Sequence, residues 1–297
     1  MVIESAYAAC LRVARQHDEN FPVASRLLPS EMRPHIAAIY AFARIADDFA
    51  DEGSRSDSAR LALLDDWRRR LLATRQEAPA ESAQPGSESI ADDSTPVAVF
   101  VALAATIRSC HLDMQLFDDL LSAFRQDVLV KRYENWEDVL EYCRRSANPI
   151  GRLVLAIAGC RDPQASAMAD AVCTALQLTN FCQDLERDWT KGRLYIPRSI
   201  VCAHGAREHD LDRRQLTPAW HDALHEISSR ARVLFDVGRP ISDVVRGRLR
   251  WELRLTWLSG VRVLDRLERA GFDVFHARPS LGWRDVMPLF WRMMTWR

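Results

Sequence analysis

Two acidic clusters carry the chemistry this sequence can do. In Tyr40-Ala-Phe-Ala-Arg-Ile-Ala-Asp-Asp-Phe-Ala-Asp-Glu52, Asp47 and Asp51 stand four residues apart. On a helix that spacing puts both carboxylates on one face, with Asp48 turned about 100° away and Arg44 one turn earlier. Residues Ile36 to Ala46 are nearly all apolar, so most of this helix is expected to be buried. Like charges at this spacing cost a helix about 0.2–0.5 kcal/mol in water, and burial raises the cost. A divalent cation would offset it: Mg²⁺ takes one or two carboxylates and completes its octahedron with water and phosphate oxygens. The first cluster alone fits equally well a solvated acidic helix end running on into Glu52 and Asp57.

The second cluster repeats the device. In Gln177-Leu-Thr-Asn-Phe-Cys-Gln-Asp-Leu-Glu-Arg-Asp-Trp189, Asn180, Asp184 and Asp188 are successive fourth neighbours, with Gln177 a turn before. An amide oxygen and two carboxylates suit a hard cation. Two such helices make a site for Mg²⁺ holding a diphosphate, whose departure the metal would assist by neutralising charge. Lys191, Arg193 and Tyr195 follow in KGRLYIP, where a returning loop can donate to phosphate oxygens. Ordinary helix-end charges are the other account of these cations.

The elements that must position these groups are helices. Apolar residues recur at helical spacing almost throughout, with few glycines and prolines and no convincing strand alternation. Caps mark several starts: Ser30, and Asp162-Pro163 and Thr217-Pro218, which place Pro at the first helical position. Gly192 after Lys191 marks a stop. Helices are expected near 3–18, 31–52, 57–73, 97–109, 113–130, 136–146, 149–160, 164–190, 218–237, 241–270 and 283–295. Gln76 to Thr95 is rich in Ser, Ala, Pro and acidic residues and reads as a mobile loop inserted in one helical domain spanning 1–297.

Composition excludes other classes. Forty basic against forty-one acidic residues leave −1, which argues against nucleic acid as partner. The longest apolar run, Val97 to Ile107, falls short of the ~18 residues of a membrane span. Seven cysteines without a C-x-x-C pair fit reduced thiols in a cytoplasmic setting. No dinucleotide fingerprint appears, so NADPH is not expected.

The motifs YAFARIADDFAD and QLTNFCQDLERD resemble the paired aspartate-rich motifs of the squalene/phytoene synthase family. The resemblance implies an all-α isoprenoid synthase fold around a central apolar cavity, and ionisation of prenyl diphosphates with two or three Mg²⁺ ions. It assigns Asp47, Asp51, Asn180, Asp184 and Asp188 to metal or metal-diphosphate positions, with Asp47, Asp51, Asp184, Asp188 and Tyr142 catalytic. It places His17, Tyr40, Arg44, Asn148, Gln177, Arg193 and Tyr195 near the substrate. Further stretches, ENFPVASRLLP, SANPIGRLVL and NFCQD, are similar to a bacterial branch that converts presqualene diphosphate and water to an alcohol. Members that join two prenyl diphosphates usually carry His-Ser-x-Ser-Phe, Arg and Tyr where this chain has His17-Asp-Glu-Asn-Phe21, Gln183 and Phe272. These departures favour one diphosphate per turnover over head-to-head condensation. A non-catalytic assembly factor on the same fold would predict eroded ligands, and all five are present.

Other residues admit two readings. Phe21, Phe42, Leu153, Ile157 and Phe181 are pocket walls or plain core, with Phe42 and Phe181 favoured as walls by their nearness to the clusters. Asn148-Pro149 is a helix start, or a break at which Asn148 or Tyr142 positions the capturing water. His221 and His225 lack a third ligand and read as a solvated face. The C-terminal segment 281–297 mixes Trp, Met, Phe and Arg. It is either an interfacial helix making peripheral contact at the inner membrane face or a helix docked on the core. Neighbouring enzymes of the same pathway are the remaining partners the resemblance suggests.

Overall fold

The computed structural model describes residues 3–16, 27–75 and 95–296. His17, Phe21 and nearly all of the 76–95 insert lie outside them; Thr95 opens a helix. The chain divides into two compact units, Met1–Leu129 with Ala156–Gly159, and Val130–Leu155 with Cys160–Arg297.

The first unit holds α1 (Ile3–Gln16), α2 (Arg33–Asp51), α3 (Asp57–Ala73), α4 (Thr95–Cys110) and α5 (Met114–Leu129). Its core is aromatic. Phe42 is fully buried, stacked on Trp67 and met edge-on by Phe100 and Phe117. Trp67 Nε1 donates to the Phe42 carbonyl, which ties α3 to the middle of α2. Phe42 is therefore core, because its face of α2 turns away from the acidic stripe. Ser30 does not cap α2: its hydroxyl bonds Glu31, and the helix starts after Met32 without a side-chain cap.

The second unit contains α6 (Trp136–Ser146), most of α7 (Asn148–Ile157), α8 (Pro163–Gln183), α9 (Leu185–Thr190), α10 (Arg198–Ala203), α11 (Glu208–Asp212), α12 (Pro218–Gly238), α13 (Ile241–Val244), α14 (Gly247–Arg269) and α15 (Trp283–Thr295). The Asp162 and Thr217 caps form as expected, accepting from Gln164 and Trp220 backbone amides. Helices α8 and α12 lie backbone to backbone at Gly238, where a Cβ would stand 2.4 Å from Val172 Cγ2 and 2.8 Å from the Met168 carbonyl. Gly260 of α14 admits Leu176 and Phe235 in the same way.

Two expected helices prove to be broken. The stretch 164–190 bends at Asp184, which separates α8 from α9. Around 241–270, Val245 and Arg246 are extended and Gly247 adopts a positive φ of 65°, so α13 and α14 part there. The short α10 and α11 carry too few apolar repeats to register in the sequence pattern.

Candidate active site

In the first unit, α2 presents Tyr40, Arg44, Asp47, Asp48 and Asp51 along one partly buried stripe. Arg44 Nη2 lies 2.8 Å from Asp48 Oδ1, and Nη1 lies 3.6 Å from Asp47 Oδ2. The guanidinium is thus committed first to Asp48, leaving Asp47 and Asp51 to repel each other. Burial pushes the Asp47 carboxyl up to about 7, and the charge of Asp51 adds to it while Arg44 opposes. Asp127 of α5, itself buried, raises it further. The end of α2 is fixed by Arg60, which donates to the carbonyls of Ala50 (2.5 Å) and Gly53 (2.8 Å). A carboxylate pair crowded by a third acid fits a hard divalent cation.

In the second unit, Asn180 sits in the last turn of α8, Asp184 at the bend and Asp188 on α9. Helical hydrogen bonds continue across the bend, from the Asp184 amide to Asn180 and from the Asp188 amide to Asp184, each 2.8 Å. Asp184 is already paired: Arg278 Nε and Nη2 reach its two oxygens at 2.6 and 2.9 Å. Beside it the buried Gln183 donates from Nε2 to the Pro279 carbonyl. Segment 278–279 therefore straps this cluster. Gln177 lies on α8 and is partly buried.

The KGRLYIP loop does fold back. The Arg193 amide donates to the Asp188 carbonyl at 2.8 Å, and Leu194 pairs with the chain at Lys131 and Arg132 in an isolated bridge. Arg193 is buried and donates from Nη1 to the Tyr195 hydroxyl at 3.2 Å. Tyr195 in turn stacks on Phe181 with ring centres 4.2 Å apart, while Tyr133 and Tyr142 complete a four-ring cluster. Phe181 thus joins an aromatic group next to the second cluster, unlike Phe42.

Asn148 does not cap α7 but opens it, buried, with Oδ1 accepting from the Thr174 hydroxyl at 2.9 Å. Phe272, fully buried with φ of 56°, packs edge-on against His221. Reading by motif missed Asp127, Arg278 and the contact of Gln183. Only Asp127 left a trace, as a lone acid in the apolar stretch Leu120 to Val130.

Among the described residues no three His, Cys, Asp or Glu side chains gather into a ready-made metal centre. Each acidic cluster instead offers two carboxylates, the second with an amide beside it. That sparse all-oxygen set suits Mg²⁺, which keeps waters and phosphate oxygens in its shell.

Residues 14–285 match the squalene/phytoene synthase family. A hydroxysqualene synthase of Zymomonas mobilis is 42% identical over 69% of this chain, the match spanning 64% of that relative's length. A hydroxysqualene synthase of Rhodopseudomonas palustris is 35% identical over 80% of this chain and 76% of its own. The crystal structure of a squalene synthase from Alicyclobacillus acidocaldarius, 37% identical, superposes with a TM-score of 0.79 over 91% of this chain and 95% of that one. A dehydrosqualene synthase, 20% identical, shares the fold with a TM-score of 0.85 over 99% and 97% of the two chains. The fold is the all-α isoprenoid synthase fold, and the chain belongs to the squalene/phytoene synthase family.

Proposed function

We propose that this chain is a Mg²⁺-dependent hydroxysqualene synthase. It would ionise presqualene diphosphate and capture the rearranged carbocation with water, giving hydroxysqualene and diphosphate, a carbon–oxygen lyase reaction. The observation that carries this reading is the 42% and 35% identity to hydroxysqualene synthases. Bound Mg²⁺, two or three ions, would supply the charge neutralisation that lets diphosphate leave.

The chain's own residues have definable tasks. Asp47 and Asp51 would hold metal from α2; Asn180, Asp184 and Asp188 would do so from α8 and α9. Arg193, buried and oriented by Tyr195, stations a cation for phosphate oxygens. The rings of Tyr133, Tyr142, Phe181 and Tyr195 present π-faces that favour a carbocation over its surroundings. The side-chain oxygen of Asn148 accepts from the Thr174 hydroxyl, so a role in placing the capturing water falls to its amide nitrogen or to the Tyr142 hydroxyl.

Head-to-head condensation of two prenyl diphosphates, a transferase reaction, is the second reading. It is favoured by a phytoene synthase of Arthrospira platensis, 27% identical over 96% of this chain. One assay separates the two. Purified protein is given presqualene, farnesyl or geranylgeranyl diphosphate with Mg²⁺, without NADPH, in ¹⁸O-labelled water, and products are identified by mass spectrometry. Labelled hydroxysqualene from presqualene diphosphate alone supports the first reading. Products from farnesyl or geranylgeranyl diphosphate support the second, and inertness toward all three overturns both.

The reading includes a peripheral station at a membrane face, since hydroxysqualene is nearly all hydrocarbon. No helix among the described residues is long and apolar enough to cross a membrane.

A further inference from the structure

Helix α15 (Trp283–Thr295) carries three separate stripes. One is buried: Asp285, Leu289 and Met293 pack inward. A second faces outward and is apolar, with Trp283 80% exposed, Met287 73%, Trp291 70%, Val286 60%, Met294 51% and Phe290 50%. Every exposed Trp and Phe among the described residues lies on this stripe. The third edge holds Arg284, Arg292 and Thr295, all exposed. At about 100° per residue the outward apolar stripe takes the widest arc of the helix, and the buried and basic stripes divide the rest.

The outward stripe is not the result of a loose end. Near the start of α15, Asp285 accepts from Arg266 at 2.7 Å and Arg262 at 3.3 Å, and bonds the Gly282 amide at 2.8 Å. Past its end, Trp296 lies under the Arg254 and Arg239 guanidinium groups at 4.9 and 5.1 Å and meets Trp257 edge-on. Clamped at both ends, the helix already satisfies its docking face, so core packing does not explain six exposed apolar side chains. The family match ends at residue 285, so most of α15 lies beyond what that match covers.

We propose that α15 is a docking element for an anionic lipid surface. Trp and Phe rings and flexible Met chains would enter the headgroup layer, while Arg284 and Arg292 on the adjacent edge meet phosphates. The charge on this face favours lipid over a second copy of the chain. The only acid of α15, Asp285, is turned inward and neutralised, so the outward surface of the helix carries cations alone. An identical face would meet it with the same sign of charge. The proposal stands whether or not the chemistry above is correct.

The test is sedimentation of the full chain with vesicles of phosphatidylcholine, with or without phosphatidylglycerol. Wild type is expected to partition at least about tenfold more strongly to the anionic vesicles. Met287→Glu with Trp291→Glu should lower that partition about tenfold or more at unchanged melting temperature, because both side chains are exposed. Arg284→Gln with Arg292→Gln should abolish the preference for phosphatidylglycerol and spare residual binding. Wild type that stays in the supernatant with both vesicles overturns the proposal. So does an M287E/W291E protein that sediments like wild type. A wild-type dimer in analytical ultracentrifugation that the same pair of changes converts to monomer would overturn it in favour of a second copy.

Discussion

Arg278 holds both carboxylate oxygens of Asp184, the residue at which the second acidic helix bends. A two-point guanidinium–carboxylate pair is among the stronger side-chain interactions available to a protein. It places a cation of the chain on a carboxylate that the proposed function gives to metal. On that reading the arginine would release that oxygen pair, or share it, when a divalent ion arrives.

Replacing Arg278 with Gln should therefore tighten Mg²⁺ binding to the substrate-free protein roughly tenfold, since charge-assisted hydrogen bonds contribute on the order of 1.5–3 kcal/mol. Calorimetric titration of wild type and R278Q with MgCl₂ measures this. Equal or weaker affinity in R278Q would show that the arginine supports the metal site instead of competing with it.

On the proposed reading, Asp47 and Asp51 set function against stability. Asp51→Asn removes the charge that helps raise the Asp47 carboxyl to about 7. Thermal unfolding in EDTA should show D51N equal to or up to about 0.5 kcal/mol more stable than wild type, the size of a like-charge helical pair. Its turnover with diphosphate substrate should fall at least about a hundredfold, because metal charge stabilisation amounts to several kcal/mol. A D51N protein both less stable and fully active would contradict the metal assignment.

The Asn148–Thr174 hydrogen bond separates packing from chemistry. Asn148→Ala leaves the buried Thr174 hydroxyl without its acceptor and should cost about 1–3 kcal/mol. Thr174→Val should cost less, and the double-mutant cycle should give a coupling near 1 kcal/mol. A role for the Asn148 amide in placing water predicts that N148A shifts the ratio of hydroxylated to unhydroxylated product while T174V does not. Product ratios that move together in both variants would assign Asn148 to packing alone.

Asp285 gives a pH signature. Burial by itself would raise its carboxyl, but the Gly282 amide, Arg262 and Arg266 outweigh it and hold the group below its usual range. A depressed folded value means the stabilisation is fully present above the unfolded pKa, about 3.9, and is lost as pH falls through the lower folded value. Asp285→Asn should thus cost about 1.5 kcal/mol at neutral pH, the scale of a hydrogen bond to a charged group. The gap in melting temperature from wild type should close as pH is lowered from about 5 toward 3. A gap that stays constant over that range would mean the charge of Asp285 is not what secures α15.

What could be read from the residues follows from what helical periodicity records. The bounds 57–73, 136–146 and 283–295 are those observed, because amphipathic repeats and caps are local signals. The bend at Asp184 left no such signal, since its backbone hydrogen bonds persist on both sides. Phe42 and Phe181 looked alike, each within a turn of a cluster. Only the packing of Trp67 and Phe117 against one, and of Tyr195 against the other, tells core from cluster. Arg278 lies 94 residues from Asp184, a pairing that spacing cannot encode. Asn148-Pro149 offered a helix cap, but the demand of a buried Thr174 hydroxyl took the oxygen instead.

At Gly238 and Gly260 the seat of α8 is made without any side chain of its own from the facing helix. Most layers of a protein can be retuned by exchanging one side chain for another of different volume. Here there is nothing to exchange: any larger residue would have to push through Val172 or the Met168 carbonyl on one side and Leu176 on the other. The shelf that carries Asn180 is in that sense frozen against drift.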